Sequence, residues 1–181
     1  IQQSMNITTV YVTHDQEEAL AMSDFVCVMY GGVIQQAAAP WEVYNSPANR
    51  FVASFVGANN FMALAVEGAQ AAIAGTAVVL PQLTGVSTSK PLVASVRPEF
   101  ISVNAPAGDD LIHLPVKIRQ VSFTGREMAV AAVLASGEEI EAITKPTPDI
   151  IALHPNDDAT FAFAARSVQL FEDGVTGARV L

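Results

Sequence analysis

The first group in this sequence with a chemical use is a histidine that closes an apolar, β-branched run. Residues 7–13 read ITTVYVT, His14 follows directly, and Asp15-Gln16-Glu17-Glu18 comes next. Ligands of open α/β sheets bind beyond the carboxyl ends of the strands, which is where His14 is expected to sit. An imidazole there can hydrogen-bond a transferable phosphoryl group and its attacking water. A lone histidine at a strand end can equally be satisfied by a neighbouring carbonyl. Asp15 and Glu18 have the spacing of a catalytic carboxylate pair, yet helix capping accounts for them without chemistry: Asp15 as N-cap, Glu18 three residues on. Glu17 and Glu18 are expected on a solvated or partner-facing surface. Cys27, in an apolar strand, is expected to be a small core hydrophobe. His113 and His154 are far apart and have no Cys or Asp at ligand spacing, so no metal site is predicted. Arg97 with Glu99 reads either as an ion pair or as a contact orienting one part of the protein on another. Trp41 and Tyr44 read as packing aromatics.

These residues need elements to hold them. Residues 7–13 are predicted as a buried strand, parallel because a helix follows, with that helix running to about Ser23 and burying Ala19, Leu20 and Met22. Residues 25–30 form a second apolar strand, Gly31-Gly32 supplies a two-residue turn, and residues 33–36 return. A helical turn is predicted at 41–44. Ser46-Pro47 then reads as a cap and first-turn proline for a helix over 48–56, with Phe51, Val52, Phe55 and Val56 on one face. Gly57 is the stop. Beyond it, segments near 61–66, 76–80, 92–103, 114–123, 128–134, 139–144, 160–165 and 167–171 are short, rich in Val, Ile, Phe and Thr, and punctuated by Gly, Pro, Asp or Asn. That spacing predicts an all-β sandwich or barrel. Ser136-Gly137-Glu138 reads as a hairpin turn, and an alanine-rich patch at 69–77 as weakly specified loop and strand. The division falls near 58–60, giving domains 1–57 and 58–181.

Composition narrows the function classes. The 181 residues carry 18 Asp+Glu against 9 Lys+Arg, a net charge of −9, which disfavours nucleic acid and anionic membranes as partners. Hydrophobic residues make up 51% and charged ones 15%, which excludes disorder and leaves much apolar surface to be covered. The longest apolar runs, 25–30 and 128–135, fall far short of the roughly 20 residues a membrane span needs. One cysteine excludes an internal disulfide and favours a reducing compartment. The chain opens on Ile1 without a cleavable leader and reads as part of a larger protein.

The run Tyr11-Val12-Thr13-His14-Asp15-Gln16-Glu17-Glu18-Ala19-Leu20 resembles the switch-histidine region of ABC-transporter ATPases of the maltose, polyamine and iron importer branch. The similarity continues in order through Met22-Ser23-Asp24, Gly31-Gly32-Val33-Ile34-Gln35-Gln36, Pro40-Trp41-Glu42-Val43-Tyr44 and Pro47-Ala48-Asn49-Arg50-Phe51-Val52-Ala53, and then from Phe55-Val56-Gly57 to Asn60-Phe61. In the second half, Val96-Arg97-Pro98-Glu99, Val121-Ser122-Phe123-Thr124-Gly125 and Val168-Gln169-Leu170-Phe171-Glu172-Asp173-Gly174 resemble the accessory OB-like, TOBE-type domain of the same subunits. Departures are small: Ala37-Ala38-Ala39 stands before Pro40 where Gly-Thr is common, and Phe25 replaces an Arg after the Ser-Asp pair.

The resemblance implies a mainly β fold, an OB-like small β-barrel regulatory domain preceded by an α/β remnant of a P-loop ATPase domain. It implies that His14 is the switch histidine, contacting the γ-phosphate and water, with the general base a glutamate elsewhere. ATP and Mg2+ would serve the full-length parent. No Gly-x-x-x-x-Gly-Lys-Ser/Thr loop, Leu-Ser-Gly-Gly-Gln signature or Asp-Glu-terminated strand occurs in the chain, so alone it is expected to bind no cofactor and to hydrolyse no ATP. Expected partners are permease subunits and a second ATPase subunit. The parent would sit on the cytoplasmic face of the membrane through the permease, and the chain alone would self-associate. The compact Gly57-Ala58-Asn59-Asn60-Phe61 junction leans towards the polyamine and iron branch. The competing expectation is an autonomous OB-like module that only dimerises or binds a small oxyanion, with Arg97, Lys117, Arg119 and Arg126 as the nearby cations.

Overall fold

A computed structural model describes residues 7–67, 70–84, 86, 90–108 and 110–180; residues 1–6, which open the expected first domain, and 69, which begins the alanine-rich patch, lie outside them. Residues 7–13 run outside any sheet, with Val10 85% and Val12 90% exposed. The strand expected here is absent. β-branched residues favour an extended backbone, but a ladder needs a neighbour, and the hairpin that follows pairs with itself. After His14, Asp15 caps helix α1 (Gln16–Met22), which buries no residue; Leu20 is half-buried and Met22 is exposed, contrary to expectation.

Strands β1 (Val26–Tyr30) and β2 (Val33–Ala38) form the expected antiparallel hairpin. Gly31 and Gly32 take φ of +59° and +78°, the left-handed pair that such a two-residue turn requires. Only one face of the hairpin is covered. Val28 points into a small cluster with Ala38, Val43, Val52 and Val56, and the alternation of a strand sends Cys27 outward. Cys27 is therefore exposed, not a core residue. Helix α2 (Pro40–Asn45) has its proline at the first turn. Helix α3 (Arg50–Phe55) starts later than Ser46-Pro47 suggests, because Asn49 is its cap: the Asn49 side chain accepts from Val52 N–H at 2.9 Å. A β-bridge from Asn49 to Ala178, with Arg179 N–H donating to Ala48 C=O, keeps Asn49 extended. Gly57, at φ +79°, ends α3 as expected.

The remainder is mainly β, as the sequence predicts. Strands β3 (Asn60–Glu67), β4 (Gln70–Ile73), β5 (Thr76–Val78), β6 (Leu92–Val96), β7 (Ser102–Val103), β8 (Leu111–Phe123), β9 (Met128–Leu134), β10 (Glu139–Thr144), β11 (Asp158–Ala164) and β12 (Gln169–Glu172) follow, with a short helix α4 (Pro148–Ile151) after β10. They build two antiparallel five-stranded sheets, ordered β10-β9-β8-β11-β7 and β12-β6-β3-β4-β5. The segment 92–103 divides at a 3-10 turn over Pro98–Phe100, since proline cannot donate to a ladder. Alternate residues of β8 and β9 point inward, among them Leu114, Ile118, Val130 and Ala132, and meet Met62, Ala94 and Leu170 of the other sheet in one core. Asn60 ties the sheets at a corner. Its amide donates to Glu141 C=O and accepts from Glu141 N–H, both at 2.8 Å.

Candidate functional site

His14 is exposed, one residue before the cap of α1. The backbone around it is set locally. Asp15 Oδ1 accepts from Glu18 N–H at 3.1 Å, and Asp15 N–H donates to Thr13 Oγ1 at 2.9 Å. Tyr11 OH donates to Glu18 Oε2 at 3.0 Å, and that bond raises the Tyr11 pKa. Glu18 thus clips the preceding chain to the helix and leaves the reciprocal capping-box bond to Thr13. The supposed carboxylate pair is spent on structure.

From α1 a hydrogen bond crosses to the junction between the helices and the β domain: Gly57 N–H donates to Gln16 Oε1 at 2.9 Å. The same junction is gripped from the other side by Arg97, at the end of β6 and only 4% exposed. Its Nη1 donates to the carbonyls of Val56 (3.0 Å) and Ala58 (3.2 Å), and its Nη2 to that of Tyr44 (2.6 Å). The guanidinium lies 3.6 Å from the centre of the Tyr44 ring, and Tyr44 OH donates to Glu99 Oε1 at 2.6 Å. The planar fork of arginine suits such a site, stacking and donating in several directions at once. Burial lowers the Arg97 pKa, partly offset by Tyr44 and Glu99; burial and the Glu99 bond raise that of Tyr44. A Cβ on Gly57 would stand 2.8 Å from the Tyr44 ring and 3.0 Å from Arg97 Nη1, so the clamp closes on a glycine.

Of the two readings of Arg97 and Glu99, the structure has the orienting one, with Tyr44 between them. Tyr44 packs as expected, whereas Trp41 is 71% exposed because α2 turns it away from the cluster. Lys117 pairs with Asp158 at 3.0 Å, and Arg119 with Glu139. Both line an apolar groove of about 750 Å³ with Pro115, Val133 and Pro155, while Arg97 stays at the junction and Arg126 lies exposed in the β8–β9 turn. The four candidate oxyanion cations are thus not gathered, and three of them are already partnered. His113 faces Ala162 across β8 and β11 with its Nε2 buried, and His154 is exposed beside Asp157. No metal-ligating cluster occurs among the described residues. Sequence reasoning read Gly57 as a helix stop but overlooked its bond to Gln16. The available signal was an arginine closing an uncharged strand with its nearest cation seven residues away at Lys90.

Residues 94–171 match the family model of the TOBE domain. Among curated proteins, the spermidine/putrescine import ATP-binding protein PotA of Rubrobacter xylanophilus is 35% identical over 174 residues, 92% of this chain and 45% of that protein. PotA of Mesorhizobium japonicum is 35% identical over 144 residues, 76% of this chain and 38% of that protein. The Fe(3+) ions import ATP-binding protein FbpC of Fusobacterium nucleatum is 38% identical over 152 residues, 83% and 40% respectively. Most of the chain is thus similar to import ATP-binding proteins, and residues 94–171 to the TOBE domain. The chain spans less than half the length of these curated relatives. A solved structure of a cytoplasmic molybdate-binding protein, ModG, is similar at 18% identity and a TM-score of 0.43, covering 62% of this chain and 91% of that one. The TOBE match begins inside β6, three residues before Arg97, so the clamp joins the TOBE domain to the helices that precede it.

Proposed function

We propose that this chain is the C-terminal part of the ATP-hydrolysing subunit of a bacterial ABC importer, of the polyamine or iron type. Residues 1–57 are the end of the ATPase domain, and residues 58–181 are the regulatory and dimerising β domain. The carrying observation is similarity to import ATP-binding proteins over most of the chain, together with an exposed His14 on a segment held by Thr13, Asp15 and Glu18.

In this reading His14 is the switch histidine. Its imidazole donates to the γ-phosphate and orients the attacking water, stabilising charge that develops as the phosphoryl group transfers. Exposure suits that role, since the nucleotide has to reach the ring. Only this one side chain of the described segment fits the nucleotide. Asp15, Glu18 and Tyr11 are committed to one another, so the phosphate cradle, the Mg2+ ligands and the general base are assigned to the rest of the subunit, and the chain alone does not hydrolyse ATP. The exposed faces of α1 and the hairpin, including Met22, Phe25, Met29 and Ile34, meet that remainder. Permease subunits and a second ATP-binding subunit complete the assembly, which sits on the cytoplasmic side of the membrane.

The test is ATP turnover by the full-length subunit carrying His14→Ala. Turnover is expected to fall by roughly 100-fold or more, the scale of losing one positioned transition-state donor, with nucleotide binding retained. Undiminished turnover would remove the switch assignment.

A further inference from the structure

Helix α1 has little of its own to hold it. It is seven residues long and buries none of them, and a helix that short is marginal without tertiary support. Beside it lies a cleft of about 540 Å³, lined by Gln16, Glu17, Leu20, Tyr44, Ser54 and Gly57 among others, which leaves it room to shift. The Gln16–Gly57 bond spans this cleft at the end of α1 nearest His14. Its donor belongs to the three-residue stretch 56–58 whose two outer carbonyls are both held by Arg97. The direction of the Gly57 N–H is therefore set from the TOBE domain.

We propose that Arg97 is a positioning residue for His14. The arginine aims the 56–58 backbone, Gly57 N–H holds Gln16, and Gln16 sets the placement of α1 and of the histidine two residues before it. A movement of the TOBE domain that shifts Arg97 against Tyr44 and Glu99 then alters turnover without touching the nucleotide. This rests on the switch reading of His14 and adds its regulation. Tyr44 and Glu99 hold the guanidinium flat over the junction and complete the path. Coupling energies of this kind correspond to changes of about 5- to 150-fold.

The experiment uses the full-length ATP-binding subunit, with steady-state ATP turnover and amide exchange at Gly57 measured on each variant. Gln16→Ala is expected to lower kcat roughly tenfold with KM for ATP unchanged, and to speed Gly57 exchange by a similar factor. Gln16→Glu keeps an acceptor oxygen and is expected to restore both to within about twofold. Arg97→Lys, which keeps the charge and loses the fork, is expected to mimic Gln16→Ala, and the double variant to be no worse than either alone. Where Arg97→Lys does not fold, Tyr44→Phe replaces it: the ring stays and the bond to Glu99 goes, and both readouts are expected to move in the same directions. Gln16→Ala with unaltered kcat, alongside an inactive His14→Ala, would overturn the coupling and leave the switch reading intact. Multiplicative effects of the two sites would overturn it as well. Normal turnover by His14→Ala would remove both.

Discussion

The chain before Gly57 and the chain after it are built from the same local signals and end in opposite conditions. Before Gly57, α1 is capped and the hairpin turn is well formed, yet α1 buries nothing and the hairpin hides one face. After it, two sheets close on each other and share one core, with alternate residues of β8, β9 and β10 buried. The difference is the presence of a second layer. A cap or a turn needs only a few residues in sequence, whereas burial needs an opposing surface, and for residues 7–34 the described chain has little. The apolar excess noted in the composition accordingly collects on Val10, Val12, Phe25, Met29 and Ile34, all exposed.

Core truncation tests this contrast most strongly. Phe161→Ala, at a fully buried ring, is expected to cost about 3–5 kcal/mol in urea unfolding, and Val12→Ala within about 0.5 kcal/mol. Equal costs would mean that residues 7–13 are packed after all. At the corner between the sheets, Asn60→Ala leaves both backbone groups of Glu141 without their partner and is expected to cost about 2–4 kcal/mol. Loss of that stability should leave the melting of the hairpin unchanged, which residue-resolved amide exchange would read. Gly57→Ala probes the seam itself: a left-handed φ and a 2.8 Å approach to Tyr44 predict about 1–3 kcal/mol, with faster exchange on both sides of the junction.

The smallest effect is on pH. The Tyr44 phenol titrates higher when folded than unfolded, so the folded state binds more protons once pH exceeds about 10. Its contribution is complete below the unfolded value and is lost as pH rises through the folded one. Unfolding midpoints are therefore expected to drop more steeply above pH 10 in the parent chain than in Tyr44→Phe. Parallel profiles would show that neither burial nor the Glu99 bond raises the Tyr44 phenol on folding.

Much of the architecture was legible where information is local. Gly31-Gly32, Asp15, Pro40 and Gly57 announce a turn, a cap, a helix start and a helix stop, because each exploits a conformation that few residues adopt. The hairpin at Ser136-Gly137-Glu138 was legible from a turn tripeptide between two short apolar-rich segments, which pair as strands. Two expectations failed for a shared reason. Residues 7–13 and Cys27 have strand and core composition, but composition cannot report whether a neighbour exists. The start of α3 moved to Arg50, with Asn49 as its cap, because the segment at 177–179, far along the chain, bridges back to residues 48–50.

The candidate site divides the same way. The sequence by itself offered His14 as a candidate and determined its local setting, because the residues around it, Tyr11 to Glu18, are contiguous and their bonds span at most seven positions. The mainly β character of the remainder was legible as well. Only the tertiary structure decided what Arg97 does. A guanidinium that bonds carbonyls 39 to 53 residues away, stacks on Tyr44 and thereby aims Gly57 at Gln16 is a product of chain closure, and no spacing along the sequence encodes it.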